Sequence, residues 1–142
     1  MNCRTKCAAT YLALLFACSG HAAAFAQPSF APNCTDPFTQ SEINMCTRAE
    51  HEAADKVMTS IYGQVIEQLR EQDHSFADLG PAYVGAELLI ASSQQAWSTS
   101  RADFCSAAGL ANYGGSMRPA VVATCFAMLA RSRTEELRWL LE

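Results

Sequence analysis

The chain has 142 residues, half of them hydrophobic, with ten Lys and Arg set against fourteen Asp and Glu. That length suits one compact domain. A net charge of −4 leaves no basic stripe to neutralise phosphates, which argues against a nucleic-acid partner.

The first segment has the three parts of an export signal. Arg4 and Lys6 form a positive start, residues 8–17 form a short apolar run, and Ala24-Phe25-Ala26 is a small-x-small cleavage site before Gln27. The apolar run is too short to span a bilayer, and no other stretch comes near 18 apolar residues, so no transmembrane span is expected. A rival reading sits inside the same segment. Leu15-Phe16-Ala17-Cys18 resembles a lipobox, which would lipidate Cys18 and tether the chain to a membrane surface. The better A-x-A site favours release at Ala26, and the mass of the mature N-terminus separates the two.

Cleavage at Ala26 removes Arg4 and Lys6 and no acid, so 116 residues with a net charge of −6 remain. Complementary charge speeds encounter, so a net negative domain suits a basic protein partner; the commoner use of such charge is solubility. Four of the seven cysteines remain: Cys34, Cys46, Cys105 and Cys125. An even set in a short exported chain reads as a disulfide framework.

Residues 27–38 hold three of the five prolines and read as an extended lead-in. Thr39-Gln40-Ser41-Glu42 has the form of a capping box, so a helix is predicted to begin there. Ile43, Cys46, Ala54, Val57, Met58, Ile61, Val65 and Leu69 recur at helical spacing, and the helix is expected to fade near Arg70–Glu71. Residues 72–80 read as a loop, and Pro81 suits the first position of a second helix. That helix carries Leu89, Ile90, Ala96, Trp97, Phe104 and Cys105 and stops at Gly109. Residues 109–119, with three Gly and a Pro, form the next connection. The third helix runs from Ala120 to Leu141, with Val122, Cys125, Phe126, Leu129, Leu137 and Leu140 on one side.

No alternating strand pattern and no repeat occurs. The expected fold is all-α, an antiparallel three-helix bundle stapled by disulfides. The domain division is a signal segment over 1–26, the lead-in over 27–38 and the helical domain over 39–142. In such a bundle all four cysteines lie at one end. Three connectivities are open. The local one, Cys34–Cys46 with Cys105–Cys125, closes the shorter loops and is preferred.

These residues resemble a known family. Gln40-x-Glu42-x-Asn44-x-Cys46, then Ala54-Asp55 and Tyr62, make the first part. Gln94-x-Ala96-Trp97, Arg101 and Cys105 make the second; Gly114-Gly115-Ser116, Cys125, Leu129, Arg133 and Leu137 make the third. Their order and spacing are similar to the LprI-type lysozyme inhibitors, small exported bacterial proteins, over nearly the whole mature chain. The chain departs from the pattern at Thr59, Ser98, Ser100 and Ala102, where the family tends to Asn, a large apolar residue, an aromatic and Asp. The resemblance implies a helical, disulfide-bonded envelope protein that binds and blocks lysozyme.

Gln94, Trp97 and Arg101 share one face of the second helix. Arg133 lies on the apolar side of the third, where Glu42, Asp55 or Asp103 are its expected partners. Buried arginines need such pairing, so these four read as structural polar residues and not as a site. His51 and Asp55 read as a solvated helix face, with His74 in a distant loop, so no metal site is expected. No nucleophile, zinc-protease or phosphate-loop motif occurs, and oxidised cysteines supply no thiolate, so neither catalytic residues nor a cofactor are expected.

The connection before Pro119 is the binding candidate. A Cys105–Cys125 bridge would pin a loop carrying Tyr113, Gly114, Gly115, Ser116 and Arg118, and pinning lowers the ordering cost of binding. Tyr and Arg are favoured interface anchors. Two functions remain in view: a lysozyme inhibitor, and a non-catalytic periplasmic scaffold or adaptor with another protein partner.

Overall fold

The computed structural model describes residues 31–112 and 114–142. The expected export segment, with Cys18 and the Ala26 site, lies outside the described residues. Three helices follow one another: α1 (Gln40–Ser75), α2 (Ala86–Leu110) and α3 (Arg118–Arg138). Single 3-10 turns lie at Ala77–Leu79 and Pro81–Tyr83 before α2, and at Trp139–Leu141 after α3. Among the described residues there is no strand, and no helix is long and apolar enough to cross a membrane.

α1 starts as its sequence dictates. The Glu42 N–H donates to Thr39 Oγ1 at 3.2 Å, and the Thr39 N–H donates back to Glu42 Oε2 at 2.9 Å. Both halves of the capping box are made, which satisfies two donors that a helix start otherwise leaves open. The Phe38 N–H reaches the same carboxylate oxygen at 3.1 Å. These bonds favour the charged form, so the Glu42 carboxyl is held below its ordinary value; the Thr39 backbone N–H is the largest cause.

The helix runs on to Ser75, past the stop expected near Glu71. Gln72, Asp73 and His74, read as loop because they are polar, are therefore helical. The extension has a structural use. Asp73 accepts from the Ala86 N–H at 3.2 Å and the Glu87 N–H at 3.1 Å, so the end of α1 caps the start of α2. Gly85, at φ 108°, supplies the left-handed residue just before that start. Pro81 accordingly opens a 3-10 turn and not α2, a correction of about five residues to the expected boundary.

Contacts along the helices set the topology. Asn44 meets Ser116 near one end, and Gln68 meets Leu140 near the other, so α1 and α3 run parallel. Asp55 meets Arg101 and Asp73 meets Glu87, so α2 runs against α1. The result is the expected up-down-up bundle with consecutive helices antiparallel. The bridges are Cys34–Cys46 and Cys105–Cys125, the local pairing. Arg101, Cys105 and Gly109 recur every four residues as the buried positions of α2.

The core is a stripe on α1 against small residues on α3. Ala54, Met58, Val65 and Leu69 face Ala127, Ala130 and Leu137, with Ile90 and Trp97 of α2 closing over them. Alanines at the contact let the two backbones approach, and the α1–α3 interface is the most extensive of the three. Val57 of α1 and Leu89 and Phe104 of α2, expected inward, are exposed. α2 buries only a narrow strip because its neighbours lie along one side of it.

Candidate protein-binding site

The connection between α2 and α3 is tied at several points. Cys105 in the penultimate turn of α2 is bonded to Cys125 on α3, 20 residues on. The Gly115 N–H donates to Asn112 O at 3.2 Å, and the Arg118 N–H donates to Gly115 O at 3.3 Å. Asn112 Nδ2 donates back to Ala108 O at 3.1 Å. Gly114 takes φ 78°, a left-handed value that a side chain would oppose. The Ser116 carbonyl accepts from Asn44 Nδ2 at 3.5 Å, and Gln40 Nε2 holds Asn44 Oδ1 at 3.0 Å. The loop is thus braced by α1 as well as by its own disulfide. Tyr113 lies outside the described residues.

Ser116 and Arg118 are exposed. The first turn of α3 then packs closely on α2. A β-carbon placed on Gly109 would strike Val122 Cγ2 and come within 3.6 Å of the Arg118 side chain. The absence of a side chain at Gly109 is what lets Val122 and the stem of Arg118 sit where they do.

Arg118 borders a groove of about 600 Å3 between the N-terminal halves of α1 and α3. Met45, Val122 and Phe126 supply apolar lining, and Arg48 and His51 of α1 face Arg118 across it. Arg48 was not legible as a site residue, since an exposed Arg on a helix is ordinary. The available signal was its spacing of three from His51, which puts both on one face.

A second polar group crosses the bundle. Arg101, 7% exposed, donates to Asp55 Oδ1 at 2.6 Å and reaches His51 Nε2 at 3.1 Å. Its guanidinium lies over Phe126 at 4.6 Å and Trp97 at 5.0 Å, with Nε left without a partner. Arg133 donates from Nε to Gln94 Oε1 and from Nη2 to Ser93 Oγ, both at 3.0 Å. It also pairs with Glu136 at 2.7 Å. Gln94 Nε2 in turn approaches Met58 Sδ of α1 at 3.2 Å.

Gln94, Trp97, Arg101 and Arg133 are therefore brought together, with two corrections. Arg133 meets none of Glu42, Asp55 or Asp103; one turn away on its own helix Glu136 is closer, and Gln94 and Ser93 fill the rest of its fork. His51 and Asp55 do not form a merely solvated face. They are partly buried, His51 stacks on Phe126 at 4.9 Å, and the pair bonds to Arg101.

The family model of lysozyme inhibitor LprI matches residues 33–137. The chain belongs to that family. An uncharacterised protein of Rhizobium meliloti (strain 1021) is 36% identical over 137 residues, covering 96% of this chain and 96% of that one. No solved structure matches. The LprI match takes in both disulfides, the capping box, the Arg101 and Arg133 network and the loop through Arg118. It is a family of inhibitors, and an inhibitor works by occupying a protein partner.

Proposed function

We propose that this LprI-family chain is an exported envelope protein that binds and inhibits lysozyme, with the connection from Gly109 to Pro119 as its contact surface. The observation that carries the reading is family membership across residues 33–137. The geometry supports it. A loop tied by Cys105–Cys125 and by Asn44 loses little freedom on binding. Lysozyme carries two carboxylates in its sugar cleft. Ser116 offers a hydroxyl and Arg118 a cation to meet them, and Gly114 and Gly115 let the backbone come close; Tyr113 enters the reading from the sequence alone, as an interface-type residue of the same connection. The surplus of acidic residues elsewhere speeds approach to a basic enzyme.

The test is the turbidity of a bacterial cell-wall suspension during lysis. Purified oxidised protein at micromolar concentration should slow clearing. Arg118→Ala should weaken inhibition by roughly tenfold or more, as loss of an interface arginine does, with the helical circular dichroism unchanged. Lysis that proceeds at full rate with the unaltered protein would reject the reading.

A further inference from the structure

We infer that the groove between α1 and α3 is a carboxylate site, gripped by Arg48 together with Arg118, and that its occupant is an acidic side chain on an apolar segment of a protein partner. The inference rests on the reading above and deepens it: it adds a cation from a different helix and names what the surface holds.

The arginines are not distributed evenly between paired and unpaired. Seven lie among the described residues. Arg70, Arg101, Arg131, Arg133 and Arg138 each have a carboxylate within 4 Å. Arg48 and Arg118 have no such partner among the described residues, and both border this one groove. A shortage of acids does not explain it, because the chain has fourteen against ten bases. Two like charges around one concavity repel each other slightly, and a carboxylate between them would relieve that repulsion. Charge-assisted bonds from guanidinium to carboxylate are also among the stronger polar contacts.

The rest of the lining selects the kind of anion. Met45, Val122 and Phe126 are partly buried and apolar. Phe126 is fixed from within, touching both His51 and the Arg101 guanidinium. A volume of about 600 Å3 is too large for a bare ion and suits a carboxylate with its apolar stem and neighbours. A polyanion such as nucleic acid, or an anionic membrane, would meet the acidic surplus of the whole chain, and two cations are too few to offset it. A single carboxylate on a basic or neutral protein avoids that repulsion.

The probe is 4-phenylbutyrate, titrated into the purified oxidised protein and followed by NMR at the Phe126 ring and Val122 methyls. Saturable shifts with a dissociation constant on the order of millimolar are expected for a ligand of that size. The Arg48→Gln, Arg118→Gln double variant should weaken binding about tenfold or more, and Arg138→Gln should leave it unchanged. The uncharged 4-phenylbutanol should not saturate. Equal shifts with the alcohol, or an unaltered titration in the double variant, overturn the site.

Arg48→Gln in the lysis assay then separates the two claims. Inhibition weakened about tenfold supports the groove as part of the contact surface. Full inhibition by this variant overturns the groove while the inhibitor reading stands. If the unaltered protein does not inhibit at all, the inhibitor reading falls, and the phenylbutyrate titration still judges the carboxylate site.

Discussion

Arg101 on α2 bonds to Asp55 on α1 at 2.6 Å, across the least extensive of the three helix interfaces. The pair works where apolar contact is thinnest. Its cation is almost wholly covered and its carboxylate is 37% exposed, so the cost of breaking it falls on the buried partner.

Removing the carboxylate should therefore be expensive. Asp55→Ala leaves a buried guanidinium with His51 as its one hydrogen-bond partner and no carboxylate, and a loss of about 2–4 kcal/mol in urea unfolding is expected. Arg101→Met removes the charge along with its unpartnered Nε. The double variant should be more stable than the two single losses added together. Strict additivity, within about 0.5 kcal/mol, would show that the two residues are not coupled.

The bridge at Cys105–Cys125 should contribute about 3 kcal/mol through the closed segment it makes. Cys105→Ser with Cys125→Ser should lower the denaturation midpoint accordingly. The lysozyme inhibition proposed above should fall more than stability explains, because the tied loop regains its freedom. Inhibition that is unchanged in protein still folded at the assay temperature would remove the disulfide from the binding argument.

Two helical glycines should respond to alanine with opposite signs. Gly63, in α1, has nothing within 4 Å of an added β-carbon, so Gly63→Ala should gain about 0.5–1 kcal/mol from helix propensity. Gly109→Ala has the same propensity gain but runs into Val122, and a net loss of about 1–3 kcal/mol is expected from overpacking. Thermal melts of the two variants check the difference, and a shared sign would contradict the close approach of α2 to α3.

The start of α1 should loosen in acid. The folded-state pKa of Glu42 lies below its ordinary value of 4.5, so its contribution is complete above that value. It is lost as pH falls through the lowered folded-state pKa. Amide protection at Phe38 and Thr39, taken relative to the intrinsic exchange rate at each pH, should fall over that interval, and in Glu42→Gln this dependence should be absent. An identical acid response in both proteins would place its cause elsewhere.

Much of this architecture was legible because its causes are local. Thr39 and Glu42 announce a cap within four residues, and Cys34 and Cys46 are close enough along the chain for the short loop to be preferred. The family pattern also gains a physical meaning residue by residue. Glu42 caps, Asn44 braces the loop at Ser116, and Cys46 is bridged.

What escaped was set by distant residues. Nothing near Ala86 says that a helix starts there, because its cap is Asp73, thirteen positions earlier. His51 looks solvated until Phe126 covers it and Arg101 arrives from another helix. Arg48 becomes notable only when Arg118 is placed across the groove. Helical periodicity tells which residues share a face of one helix, but not which faces meet.

Both sulfur bridges lie towards the bundle end that carries the loop and the groove, while the turns around Gly80 rest on non-covalent bonds alone. With the four cysteines reduced, the loop and the groove would be held by hydrogen bonds and helix packing alone. Oxidation is therefore what fixes this end of the bundle, and surroundings where thiols do not persist are what keep it fixed.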